Sequence, residues 1–217
     1  MRVRESYDAA AEAYAEHLGD ELDRKPLDRH LLNRFAEELI RLAPDGDPPL
    51  IADIGCGPGH VAAYLGQRGA RVIGVDLSPG MIATASARHP GIAFRVGDMH
   101  SLDLADEELA GAILFYAIVH FEPGELAAVF AELRRVLAPG GLALVAFHVS
   151  NEAGDRVVHV DELFGAPVSL DFRFHSPDGV AAALDAARLA VIERVERAPY
   201  EGAEYPTRRC YLLAKAS

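Results

Sequence analysis

Asp53-Ile54-Gly55-Cys56-Gly57-Pro58-Gly59 decides the fold of this chain. It grows out of Leu50–Ile54, an apolar run of strand length, and it breaks that run with three glycines in five positions. A strand that ends in glycines leaves its backbone bare, so a ligand can approach where a Cβ would collide. Downstream the rhythm repeats. Residues 60–68 read as helix and Arg71–Val75 as strand. Ser78 and Pro79 form an N-cap and first helical residue of a helix running to about Arg88. Ile92–Val96 and Ala112–Phe115 read as further strands. Glu122–Leu137 reads as a helix ending at Pro139-Gly140-Gly141, before a fifth strand, Leu142–His148.

Apolar strands alternating with helices imply a parallel sheet covered on both faces. Right-handed crossovers make it doubly wound, with ligands at the carboxyl ends of the strands. Upstream, residues 6–18 and 26–43 read as helices, the second with Leu27, Leu31, Phe35, Leu39 and Leu42 on one face and stopped by Pro44-Asp45-Gly46-Asp47-Pro48-Pro49. Downstream, residues 151–175 hold no clear helix, although Val168–His175 alternates as a strand would. Ser176-Pro177 opens a helix to about Arg188. The strands Leu189–Arg197 and Arg208–Lys215 lie close enough for an antiparallel hairpin.

The expected fold is therefore α/β, a doubly wound, seven-stranded, mostly parallel sheet with an antiparallel C-terminal hairpin. The 217 residues fit one domain. Residues 1–43 form an N-terminal helical cap, 50–148 a cofactor-binding core, 151–175 a candidate substrate lid, and 176–217 the C-terminal helix and hairpin.

Acidic side chains mark the strand ends. Asp76 closes the second strand, where a carboxylate can accept hydrogen bonds from both hydroxyls of a ribose. Asp98 follows the third, where it can take the amino group of an adenine. Asp53 either holds the glycine loop or touches the ligand directly.

These residues resemble class I S-adenosylmethionine-dependent methyltransferases, in particular the small-molecule group. Asp53 through Gly59 is similar to that family's glycine-rich first motif. Val75-Asp76-Leu77-Ser78-Pro79-Gly80-Met81 matches the second, Gly97-Asp98-Met99 the adenine-binding turn, and Leu137-Ala138-Pro139-Gly140-Gly141 the turn before the fifth strand. The resemblance is clearest over residues 50–148, and its specificity lies in four motifs in order. It implies S-adenosylmethionine as cofactor and S-adenosylhomocysteine as product. It places Asp53, Gly55, Cys56 and Gly57 at the methionine part, Asp76 at the ribose, and Leu77 against the adenine. Ser78, Met81, Gly97, Asp98 and Met99 complete the nucleoside pocket, with Phe115 and Tyr116 near the sulfonium. Tyr14, seven residues from Tyr7 on the first helix, is placed over the cofactor or merely docks the helix.

Methyl transfer is a displacement in which the cofactor carries the activation, so alignment matters more than a dedicated base. Candidate catalytic residues are His120, beyond the fourth strand, and His148, at the end of the fifth; each has a structural alternative. Phe164, Phe172, Phe174 and His175 line an apolar pocket or form the core of a small hairpin. Glu201, Glu204, Arg208 and Arg209 read as a solvated hairpin face. The rival reading is an NAD-dependent oxidoreductase, disfavoured because the last small residue of G-x-G-x-x-G/A is here His60. A non-catalytic S-adenosylmethionine-binding protein is a second alternative.

Net charge is −12, which argues against nucleic acid and weakly against anionic membranes. Two cysteines, Cys56 and Cys210, make no disulfide framework, and no metal-ligand spacing surrounds them. Cys56 reads as a small buried filler. The polar N-terminus and the lack of a long apolar run point to a cytoplasmic protein, and the resemblance implies a small-molecule acceptor. The acceptor and the oligomeric state are not legible.

Overall fold

In the computed structural model, which describes residues 3–43 and 47–217, helices α1 (Val3–Leu18) and α2 (Pro26–Leu42) precede the sheet, joined by a short 3₁₀ turn over Glu21–Arg24. Residues 44–46 of the expected helix stop at 44–49 lie outside the described residues. The core follows as β1 (Leu50–Ile54), α3 (His60–Gly66), β2 (Arg71–Asp76), α4 (Pro79–Arg88), β3 (Ala93–Val96), β4 (Leu109–Phe115), α5 (Leu126–Val136) and β5 (Leu137–Asn151). The chain ends with β6 (Val157–Leu163), β7 (Ala166–Arg173), α6 (Pro177–Ala186), β8 (Leu189–Arg197) and β9 (Thr207–Ala216).

Seven strands form one sheet in the order β3-β2-β1-β4-β5-β9-β8. Strands β1 to β5 pair in parallel, while β9 runs antiparallel between β5 and β8. The order reverses between β1 and β4, and it is there that an open α/β sheet leaves its ligand crevice. The central strands are buried on both faces, with Ile51, Ala52, Ala112, Ile113 and Leu114 all without exposed surface. One core cluster lies under α5 and α6, around Phe130, Leu133 and Leu184. The other lies under α2 and α3, around Leu32, Phe35 and Leu65.

Several boundaries differ from the sequence expectation, three of them at the starts of β4, β5 and α5. Strand β4 begins at Leu109 rather than Ala112, and β5 begins at Leu137 rather than Leu142, because Leu109 and Leu137 pair across the irregular Pro139-Gly140-Gly141 stretch. Helix α5 begins at Leu126 rather than Glu122; Glu122 instead sits in a turn closed by Glu125 N–H donating to its carbonyl. Residues 151–175 contain two strands, where only the second was legible. Val158 and Val160 turn inward along β6 between exposed His159 and Asp161, but the run is too polar overall to stand out.

Candidate active site

The glycine bend is fixed by its backbone. Gly55, Gly57 and Gly59 have φ of 76°, 51° and 82°, a region that side chains disfavour. A Cβ on Gly55 would lie 2.5 Å from that of Ala117 and 3.6 Å from Met99 Cε, so the bend packs against the segment after β4 and the turn after β3. The N–H groups of Gly55 and Cys56 both donate to the Val75 carbonyl, at 2.7 and 3.1 Å. Beside Gly57 the space is open, with Tyr14 Cε1 the nearest atom at 3.9 Å from a built Cβ.

Asp76 closes β2 next to this bend. Its Oδ2 accepts the Gly57 N–H at 2.9 Å and its Oδ1 accepts the Ser78 N–H at 2.9 Å. Burial raises its pKa, and these two N–H groups counter the rise. A carboxylate offers about four lone-pair sites, so Asp76 keeps acceptor capacity for a ligand. Asp53 is 1% exposed, and its Oδ2 has no hydrogen-bond partner. Burial pushes its pKa up to about 7.

Leu77 is 43% exposed beside Asp76, an apolar face open to a ligand. Asp98 is also exposed, with Oδ1 accepting the backbone N–H and the Nδ1 of His100, each at 2.9 Å. Gly97 is pinned behind it, donating to the Asp76 carbonyl at 2.9 Å. Ser78 and Met81 serve the helix. Ser78 Oγ accepts the Met81 N–H at 3.0 Å and donates to Asp8 Oδ1 of α1 at 2.6 Å, and both residues are 1% exposed.

A cavity of about 560 Å³ adjoins the glycine bend. Gly55, Cys56, Gly57, Phe115 and Tyr116 form its inner end, and Tyr14, His17 and Leu18 of α1 form one side. The β6–β7 hairpin roofs it with Val158, Val160, Leu163, Phe164, Phe172 and Phe174. Both readings of the aromatic residues thus meet in one object, a hairpin whose inner face walls a pocket. His175 is the exception. It is 3% exposed, and its Nε2 lies 3.0 Å from the Ile118 carbonyl behind the pocket.

The two histidines differ. His148 lines the cavity, its ring 5.0 Å from that of Tyr116 and its Nδ1 2.6 Å from Thr207 Oγ1. Burial, then Arg209 and Lys25, push its pKa down to about 3, so it is a neutral imidazole. His120 has both ring nitrogens engaged, Nε2 with Tyr7 Oη at 2.7 Å and Nδ1 with the Asp171 carbonyl at 2.9 Å. Since a carbonyl only accepts, Nδ1 carries the proton and Tyr7 donates to Nε2. His120 therefore ties α1 to β7 from outside the cavity lining. Ser6 adds to the joint, its Oγ accepting the Ser169 N–H at 3.1 Å.

One expectation fails. Glu204 and Arg209 are not a solvated face, since each side chain is 2% exposed. Alternation along β9 turns Thr207, Arg209 and Tyr211 inward and leaves Arg208 outside. There they join a buried cluster that no local signal announced. Lys25 Nζ lies 2.5 Å from Glu21 Oε2, and Glu21 Oε1 lies 2.9 Å from His60 Nε2. Arg197 pairs with Glu204, and it donates to Asp28 at 2.8 Å. Asp28, without exposed surface, also accepts from the hydroxyls of Tyr116 and Tyr211, at 3.1 and 2.9 Å. This network holds Tyr116 where its backbone takes φ 59°, a strained value for a tyrosine.

His60 and Glu21 also bear on the dinucleotide reading. A pyrophosphate would sit at the N-terminus of α3, and here that position holds His60 backed by a buried carboxylate. Among the described residues no cluster of three potential metal ligands occurs, and no helix is long and apolar enough to cross a membrane.

Sheet order, the glycine bend and the acid at the next strand tip belong to a Rossmann-like α/β fold of the methyltransferase kind. Comparison with known proteins makes this specific. Residues 51–141 match the model of the methyltransferase domain family. The chain is 37% identical over 114 residues to trans-aconitate 2-methyltransferase of Methylobacterium nodulans, covering 52% of this chain and 43% of that one. It is 33% identical over 128 residues to malonyl-[acyl-carrier protein] O-methyltransferase of Serratia marcescens, covering 58% and 49%. The chain thus spans about half the length of the curated relatives it matches. In fold it resembles an S-adenosylmethionine-dependent methyltransferase from Methanosarcina mazei, with TM-score 0.68 at 18% identity over 78% of this chain and 92% of that one. Residues 51–141 thus match a methyltransferase domain, and the chain is similar in sequence and in fold to S-adenosylmethionine-dependent methyltransferases.

Proposed function

We propose that this protein transfers a methyl group from S-adenosylmethionine to an oxygen or nitrogen of a small-molecule acceptor. The observation that carries this reading is the cavity of about 560 Å³ that shares its inner wall with the glycine bend. A protein that only bound the cofactor would have no use for a largely apolar chamber that runs on from the bend to the β6–β7 hairpin.

The residues fit the cofactor. The open space beside Gly57 takes an amino-acid tail, and the unpartnered Asp53 Oδ2 is the acceptor for its amino group. Asp76 accepts from the ribose hydroxyls, Leu77 packs on the adenine and Asp98 takes its amino group, with Gly97 and Met99 setting that turn. Ser78 and Met81 hold the start of α4 so that Asp76 and Leu77 are presented. Tyr14 closes over Gly57 and Cys56. When bound, the cofactor supplies an electrophilic methyl on a good leaving group. The chain's part is to align the acceptor and exclude water, through Phe115, Tyr116 and the hairpin aromatics. His148 is the candidate catalytic group, as a hydrogen-bonding imidazole facing the acceptor. His120 acts by positioning, since its ring braces α1 against β7.

Calorimetric titration with S-adenosylhomocysteine and with NAD tests the cofactor, and an acceptor screen with labelled methyl donor tests transfer. Tight binding of the first ligand alone is expected. Binding of NAD in its place contradicts the reading.

A further inference from the structure

The cavity has two ends of opposite character. The hairpin end is aromatic and aliphatic. The end beside Tyr116 carries Lys25, Arg209 and His148, together with Glu21 and Glu204. Lys25 Nζ and Arg209 Cζ lie 5.5 and 5.8 Å from the centre of the Tyr116 ring, so both cations converge on the tip of β4. Tyr116 also borders the glycine bend, where a transferred methyl would be presented.

No side chain at this end is free to remove a proton. Glu21 has one oxygen on His60 and the other on Lys25. Glu204 Oε1 takes Arg197 and the Tyr200 N–H, and its Oε2 faces Arg197, Arg209 and Lys25 at 3.1, 3.2 and 3.6 Å. His148 spends Nδ1 on Thr207, and burial with the nearby cations keeps it from taking up a proton. The charged groups acting on His148 are Arg209, Lys25 and Arg197 on one side of the balance and Glu21 on the other, and the cations prevail. Arg209 is buried; its Nη1 and Nη2 each donate to a backbone carbonyl, of Thr207 at 2.6 Å and of Tyr205 at 3.0 Å, which leaves a second N–H on each nitrogen as a charged donor.

An acceptor bound here must supply its own lone pair, in a place that stabilises negative charge and disfavours an ammonium. We propose that Lys25 and Arg209, with His148 beside them, bind the anionic oxygen of a carboxylic acid or an acidic phenol whose apolar body lies against the β6–β7 hairpin, and that this oxygen is the methyl acceptor. The step balances without a base. The oxygen lone pair forms the new O–C bond as the C–S bond breaks, its pair stays on sulfur, and the two opposite charges disappear. The proposal rests on the methyltransferase reading and narrows its oxygen-or-nitrogen choice to oxygen.

The test is calorimetric binding to the full chain saturated with S-adenosylhomocysteine, using shape-matched pairs of probes. Cinnamate against cinnamamide and octanoate against octanamide form the carboxylate arm. 4-Nitrophenol against 4-nitroaniline forms the phenol arm. At least one acid is expected to bind about tenfold more tightly than its neutral partner, and the arm that responds names the source of the oxygen. The double variant Lys25→Gln/Glu21→Gln removes the cation together with its nearest partner while Glu204 keeps Arg197 and Arg209, and it should cut the acid's advantage by about threefold or more while leaving affinity for S-adenosylhomocysteine within about twofold. Equal binding within every pair, tighter binding of the neutral partners, or no binding of any acid overturns the proposal. Failure of S-adenosylhomocysteine itself to bind would overturn the methyltransferase reading instead, so the two failures are distinct.

Discussion

The cofactor-facing half of the site and the acceptor cavity differ in how their residues are spaced along the chain. Asp53, the glycine bend, Asp76, Leu77 and Asp98 fall within 46 consecutive positions, on strand tips that parallel pairing places side by side. The cavity draws on α1, the 3₁₀ turn, the ends of β4 and β5, the β6–β7 hairpin and the connection into β9. In the first half local sequence and local structure agree, since a bare turn needs glycine wherever φ is positive. In the second half every segment is unremarkable alone, and chemistry arises only when long-range contacts assemble it. A scaffold can therefore keep its cofactor end while the acceptor end is remodelled by changes in a hairpin and a loop.

Four experiments would sharpen or break this contrast. The largest effect is expected at Asp76. Asp76→Ala should weaken S-adenosylhomocysteine binding about 100-fold or more by calorimetry, since two hydrogen bonds to a charged acceptor contribute about 3 kcal/mol or more together. Unchanged affinity would remove Asp76 from the ribose. Next, Gly55→Ala forces a side chain into φ 76° and against Ala117. A loss of about 2 kcal/mol in stability should appear as a lowered Tm, together with weaker cofactor binding. A Tm equal to wild type would mean the bend relaxes freely.

Phe164→Ala tests whether the halves are separable. Phe164 stacks on His17 at 4.5 Å and meets Tyr14 edge-on at 5.7 Å, at the hairpin tip far in sequence from the strand acids. The account expects KM for the acceptor to rise about tenfold, with cofactor affinity changed less than twofold. An equal loss in both would show that α1 and the hairpin serve cofactor and acceptor as one unit.

The fourth experiment concerns Asp53 and is read as a pH dependence. Its native pKa of about 7 lies above the unfolded value near 3.9. Between those values the native state binds more protons than the unfolded chain, so this group lowers ligand-free stability as pH rises from about 4 to 7. Asp53→Asn lacks that penalty. Its Tm relative to wild type should therefore be higher at pH 8 than at pH 5, and a difference independent of pH would contradict a buried, unpartnered carboxyl.

How far the sequence could be read follows from the same contrast. The succession of strands and helices along the core, the helix cap at Ser78 and the antiparallel C-terminal pair were legible because apolar periodicity and turn residues are local signals. The β6 strand was not, because Val158 and Val160 alternate with His159 and Asp161 in a run with little net hydrophobicity. Nor were the roles of Lys25, Asp28, Glu21, Glu204 and Arg209. A charged residue reads as solvated by default, and only the fold reveals that its partners lie up to 183 positions away, as Asp28 and Tyr211 do. The catalytic expectation for His120 came from its place after β4, and only the fold shows both its ring nitrogens engaged, by Tyr7 and by the Asp171 carbonyl. An inward-facing arginine two positions from an inward tyrosine on β9 was the one available hint.

A crystal structure of the full chain with S-adenosylhomocysteine bound tests the central claim most directly. The account predicts ribose hydroxyls on Asp76, adenine between Leu77 and Asp98, the amino-acid tail over Gly57 with its amino group toward Asp53, and the sulfur facing the Tyr116 end of the cavity. A nucleoside seated anywhere else, or a sulfur turned away from that cavity, would contradict it.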